Sequence, residues 1–351
     1  MNTIYIRTLK RADHTVFGVE KGQKTYYDPQ FGRMIPYSSG QQIKRSILES
    51  LNLALETAGS PTTFFFDVTK KEEIKEGEVF GTCNPADPDQ LLGGWMRAAS
   101  GGKEKTLKRR SPLSISSMRG LHPLLAGTNK ENMTFDRSNR PNNVVVVRDQ
   151  KGNELSTEEI KDLLSGKDRS LERKWIADQT RATGLFVQDI AIDMRRLFSV
   201  ALNPFEPEIS AEVEASLREA GWIESESVFG PCLVAPKSVR DTLIPALVDS
   251  IFHWRITSNQ SRTLSLMETL AVGISDNANK IAGSIRAKLT EAEKAMPIVE
   301  EELEGVDMFV TLPAAGYLIT KNESADALEN AREHLIGLLN KYDYEGQPVM
   351  A

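Results

Sequence analysis

The residues best placed to do chemistry run from Phe31 to Arg45, Phe-Gly-Arg-Met-Ile-Pro36-Tyr-Ser-Ser-Gly40-Gln-Gln-Ile-Lys-Arg45. A turn here feeds a helix. Ser38, Ser39 and Gly40 are good cap residues and leave N–H groups free at the positive end of the helix dipole. Gln41, Gln42, Lys44 and Arg45 follow within the first turns. Such a start suits a phosphate. An ordinary capped helix with solvated charges is the competing reading of this segment taken alone.

A second stretch supports the first. From Arg97 to Arg148 lie eleven Lys or Arg residues, opposed only by Glu104, Glu131 and Asp136. The local charge is therefore +8 in a chain of net charge −6, and the remainder carries −14. A strongly positive block in an acidic protein points to a polyanion partner. Within it Lys105, Lys108, Arg109, Arg110, Ser111, Arg119, Arg137 and Arg140 are candidates for nucleic-acid contact.

No catalytic constellation accompanies these residues. The four histidines, His14, His122, His253 and His334, share no helix turn, and neither Cys83 nor Cys232 sits in a CxxC pair. No metal site or cofactor is expected from them. Gly101-Gly102-Lys103 resembles the end of a phosphate loop. However, Arg97 stands where the first glycine belongs and Glu104 where Ser or Thr belongs. Asp189 and Asp193 read as structural. No enzyme activity is expected.

The elements that must position these residues follow from periodicity. The 351 residues are 40% hydrophobic and 26% charged, which suits one large or two joined domains. Two distant cysteines fit a reducing cytoplasm. The N-terminus lacks a signal-peptide core, and no run approaches the ~18 apolar residues of a membrane span. Strands are expected at 3–11, 63–68, 142–148, 184–193, 268–275 and 306–312. Helices are expected at about 41–58, 157–164, 238–253 and 325–342. Residues 12–37 read as turns. With two excursions removed, the order is β, α, β, α, β, β, α, an α+β core of the ferredoxin-like or RRM-like kind.

With these pieces in place, the chain resembles the backbone subunit of class 1 CRISPR effector complexes, the DevR-like "Cas-seven" proteins of Cascade. Three segments carry the resemblance. They are Pro36-Tyr-Ser-Ser-Gly-Gln-Gln-Ile-Lys-Arg45, then Leu92-Gly-Gly-Trp-Met-Arg97 with Lys108-Arg-Arg-Ser-Pro-Leu-Ser-Ile-Ser116, and Gly184-Leu-Phe-Val-Gln-Asp-Ile-Ala-Ile-Asp193. Each is weak alone; their order and spacing are more specific. The family often carries a glycine-rich turn before a late palm strand. Here the turn is Ser258-Asn-Gln-Ser-Arg-Thr263, so Asn259, Gln260 and Arg262 would supply side-chain contacts instead.

The resemblance implies a palm from 1–58, 183–195 and 237–351, fingers over 59–182 and a thumb over 196–236. It implies copies polymerised along a CRISPR guide RNA, with other Cascade subunits, in antiviral defence. The guide would be presented for pairing with a target DNA strand. Leu202, Phe205 and Phe229 of the thumb would wedge against a displaced base. Trp95 and Met96 read as core or subunit interface. Two other readings compete. One is a type III-like backbone subunit that also cleaves target RNA, with Asp28 or Asp13 as acid. The other is a general RNA-binding or protein-interaction module.

Overall fold

The computed structural model describes residues 2–18, 23–98, 105–256 and 264–347, with the backbone alone at 131–135 and 175–179. It is an α+β protein. Among the described residues, a ten-stranded sheet is accompanied by eight α-helices. Its centre is formed by Thr3–Thr15, flanked by Arg173–Asp193 on one side and Thr269–Ser275 on the other, both antiparallel. Asp307–Thr311 extends the sheet beyond Thr269–Ser275, again antiparallel.

Alternation along the first strand divides the core. Ile4 and Ile6 point to one face, where they join Ile43 and Ile47 of helix Gly40–Ala54, Leu243 and Leu247 of helix Lys237–His253, and Leu335 and Leu339 of helix Ala327–Lys341. Leu9 points the other way and joins Val187, Val310, Ile285 and Val299 in a smaller cluster. This is the period-two pattern of a strand buried on both faces.

Helices fall close to their sequence positions for different reasons: Gly40–Ala54 and Ala327–Lys341 carry apolar stripes, Lys237–His253 is apolar nearly all round, and Thr157–Leu164 is set by the Ser156–Glu159 capping box. Helix Gly40–Ala54 stops earlier than expected: Leu55 caps it, and Glu56 turns left-handed at φ 53°. The described part of 12–37 is more regular than its turn formers suggest: Thr3–Thr15 runs into it, and Thr25–Asp28 pairs with Arg33–Ser38 as a hairpin. The expected strand at 142–148 is absent. Only Arg148 makes a bridge, to Glu154, and Val144 is 86% exposed. No neighbouring strand flanks the valines there, so β propensity alone does not build a ladder.

The strand expected over 184–193 is the end of a much longer one. Its distal half pairs with Ala126–Asp136 as an outgrown hairpin. Gly184 marks the junction, at φ +139°, where a Cβ would lie 2.3 Å from the Leu125 carbonyl oxygen. Residues 199–234 add a separate three-stranded sheet, Ser199–Ala201, Gly230–Val234 and Ile223–Ser227, with helix Ala211–Glu219. No helix of the described residues is long and apolar enough to cross a membrane.

Candidate nucleic-acid interface

The helix start forms as a strand-to-helix turn. Ser39 is the N-cap, and its hydroxyl accepts from the Gln42 N–H at 3.3 Å. Tyr37 and Ser38 pair with Arg119 and Met118, so a strand from the basic island brings Arg119 beside the turn. Gly40 is obligatory: a Cβ there would lie 2.5 Å from the Ile115 carbonyl oxygen. Gln41 is exposed and Gln42 half-buried, whereas Ser38 is fully buried with its hydroxyl unpartnered.

Three other candidates converge on the C-terminus of the short helix Pro88–Gly93. Arg109 donates to the Leu91 carbonyl, Ser111 Oγ to that of Leu92 at 3.0 Å, and Lys44 Nζ to that of Gly93 at 2.6 Å. Three consecutive carbonyls without helical partners are thereby satisfied. Gly94 lets the chain leave at φ +70°, with the position of its missing Cβ 2.6 Å from the Ser111 nitrogen. Burial, with Arg109 nearby, lowers the Lys44 amine to about 8.

Arg109 therefore corrects the sequence reading of a three-residue basic surface. It is 3% exposed, and also donates to the carbonyls of Arg196 at 2.7 Å and Ser199 at 3.1 Å. The reason is strand alternation. Leu107–Arg109 pairs with Trp95–Arg97, which turns Arg109 inward over the Trp95 ring and leaves Lys108 and Arg110 exposed. Trp95 is buried, as core placement requires, and donates its indole N–H to the Glu208 carbonyl at 2.7 Å.

Lys108 and Arg110 open onto a cleft of about 650 Å³, with Lys105, Arg196, Phe205 and Phe229 also on its walls. The basic island supplies one side and residues 196–229 the other. Phe205 is 85% exposed and Phe229 37%. Arg196 covers Phe229, with its guanidinium carbon 3.6 Å from the ring centre. Lys105 Nζ donates to the Pro204 carbonyl and ties the two sides together. Beneath them Glu208 lies 3.6 Å from Arg196 and 3.8 Å from Arg109. Burial pushes its carboxyl up, against the pull of Arg109 and Arg196.

No protein-family model matches the chain, and no curated protein matches it. Two solved structures are similar over nearly its whole length. A chain of a CRISPR RNA-guided surveillance complex aligns at TM-score 0.42 and 11% identity, covering 95% of this chain and 99% of that one. A chain of a pre-nicking CRISPR RNA-guided surveillance complex aligns at TM-score 0.45 and 11% identity, covering 99% and 96%.

The remaining candidates are scattered. Arg45 is exposed and pairs with Glu49 one turn on, at 2.7 Å. Arg119 reaches Asp189 at 3.1 Å, and Arg7 holds the same carboxylate at 2.6 Å. Burial raises the Asp189 pKa, but the bonds and charges of Arg7 and Arg119 outweigh it and hold the group below the usual carboxylate range. Arg137 and Arg140 are exposed beyond the end of the outgrown hairpin. Leu202 is half-buried and packs against the core, while Phe205 and Phe229 reach the cleft. Asn259, Gln260 and Arg262 lie outside the described residues. Asp28 accepts from the Phe31 N–H at 2.8 Å as a turn residue, and Asp13 pairs with Arg11.

Sequence reading missed Arg196 and Glu208. The only local sign of Arg196 was the pair Arg195-Arg196 directly after the strand ending at Asp193. Glu208 gave none, because its partner Arg109 is remote in sequence.

Proposed function

We propose that this chain is a non-catalytic scaffold that holds a CRISPR guide RNA by its backbone in a type I effector complex. The observation that carries the reading is the cleft. It gathers three exposed cations, Lys105, Lys108 and Arg110, around two accessible aromatic rings, Phe205 and Phe229. Cations along a backbone with rings for bases are the two components of sequence-tolerant single-strand binding. The motif order in the sequence directs the choice of RNA toward a CRISPR guide.

In this reading the central sheet and its helices are an RRM-like palm, residues 59–182 the fingers and 196–236 the thumb. The helix start Ser39–Gln42, with Arg119 beside it, holds a phosphate, and Ser38, being fully buried, takes no part. Lys105, Lys108 and Arg110 hold others, and Phe205 and Phe229 engage a base. Copies repeat along the guide with other Cascade subunits, and leave the remaining bases to pair with target DNA.

The test is to purify the protein from its native cell and sequence the nucleic acid bound to it. Short RNAs with constant repeat-derived ends and variable centres are expected. Random cellular RNA would reduce the reading to a general RNA binder, and the absence of nucleic acid would overturn it.

A further inference from the structure

The cleft leaves two apolar features unexplained. The first is the hairpin of Thr63–Val68 with Ile74–Phe80, a two-stranded sheet with no third strand. Phe64 pairs with Val79, Phe66 with Glu76 and Val68 with Ile74, with a register shift between Phe64 and Phe66, so this face carries one carboxylate among the apolar side chains of Phe64, Phe66, Val68, Ile74 and Val79. Their exposures run from 56% to 76%. Such a hairpin is marginal alone in water, and both of its edges are open for pairing. The second is the valine run. Val144, Val145 and Val146 are 86%, 39% and 50% exposed and lie outside every strand.

Their charges are opposite. From 63 to 80 there are three lysines, at 70, 71 and 75, against carboxylates at 67, 72, 73, 76 and 78, a net charge of −2. That charge disfavours RNA as the occupant. From 140 to 148 there are Arg140 and Arg148 and no carboxylate, a net charge of +2.

We infer that the Val144–Val147 segment of one copy adds as a third strand to the 63–80 hairpin of the next. The addition supplies backbone partners to Val144–Val146, next to Val147 whose carbonyl already accepts from the Leu155 N–H at 2.8 Å, and covers the apolar side chains of the hairpin. Two different patches are joined, so the contact is heterologous and propagates from copy to copy in an open series. The inference rests on the reading of a repeating scaffold and names the contact that would repeat.

The full chain, freed of nucleic acid, is the material for the test. Its mass is followed by analytical ultracentrifugation over a hundredfold range of concentration, with circular dichroism checking the fold. Wild type is expected to form a concentration-dependent series. Phe64→Ser with Phe66→Ser removes one patch. Val145→Pro removes the other, because proline cannot donate to a ladder. Each variant alone is expected to stay monomeric, and an equal mixture to stop at one-to-one dimers. Arg148→Glu should weaken assembly about tenfold, and Glu76→Lys with Glu78→Lys in the same chain should restore it. A wild type that stays monomeric, or either patch variant assembling like wild type, overturns the inference. Binding of a short single-stranded RNA by the monomeric variants reads the scaffold proposal separately. Its loss leaves the assembly result standing, and its retention does not rescue a failed assembly.

Discussion

The guanidinium carbon of Arg196 sits 3.6 Å from the centre of the Phe229 ring. A cation and a ring are thus paired at the wall of a cleft whose opposite side bears lysines. In the proposed function this ring seats a base with positive charge beside it.

Phe229→Ala should weaken single-stranded RNA binding by about 1–3 kcal/mol, the usual value of one base–aromatic stack. Phe205→Ala should fall in the same range. Fluorescence anisotropy with a labelled oligonucleotide reads both. Affinity unchanged in the pair would remove the aromatic wall from the interface.

Neighbouring basic residues should separate into two behaviours. Lys108→Ala and Arg110→Ala should leave thermal unfolding near wild type and flatten the dependence of RNA affinity on salt, by about one phosphate contact each. Arg109→Ala should lower stability by about 3–5 kcal/mol, because it strips Glu208 of a buried partner. Urea unfolding alongside a salt titration distinguishes them. A stable Arg109→Ala protein would contradict the buried role.

Lys10 makes stability depend on pH. Its amine is fully buried, donates to Thr269 Oγ1 at 2.8 Å, and lies over Trp254. Burial, with Arg255 adding, lowers it from 10.5 to about 7. Between these values the unfolded chain holds a proton that the folded chain releases, so stability rises with pH across that window. Wild type should therefore gain on Lys10→Met as pH is raised from about 7 to about 10.5. Urea midpoints of the two proteins at pH 7 and pH 10 measure the difference. A constant gap would mean that Lys10 keeps its charge.

Gly40→Ala should disturb the helix start without touching a charge. The added methyl meets the Ile115 carbonyl at 2.5 Å, and one of the two backbones has to move. RNA affinity should fall together with the melting temperature. A variant that melts like wild type would show that the strand Leu113–Ile115 gives way freely.

Legibility in the sequence followed the length of the signal. Helices Gly40–Ala54 and Ala327–Lys341 could be read because their apolar spacing persists for several turns. The alternation of Ile4, Ile6 and Leu9 marked a strand for the same reason. Leu107–Arg109 spans three residues, too few for a period, so the inward turn of Arg109 was invisible. The valines at 144–147 misled in the opposite sense, since local preference was strong and a neighbouring strand was missing. The cleft is a tertiary product. Lys108 and Phe229 meet across it only because two separate excursions from the central sheet fold toward each other.

The strand Arg173–Asp193 runs through 21 residues, broken by one register shift between the pairs Glu131–Gln179 and Met133–Ile176 and by the junction at Gly184. At ~3.3 Å per residue it is a beam of roughly 70 Å, anchored at one end beside Thr3 and free of the central core at the other. Near its inner end the strand carries Asp189, whose carboxylate is shared by Arg7 of the neighbouring strand and by Arg119, so side-chain bonds as well as the ladder fasten it to the central sheet.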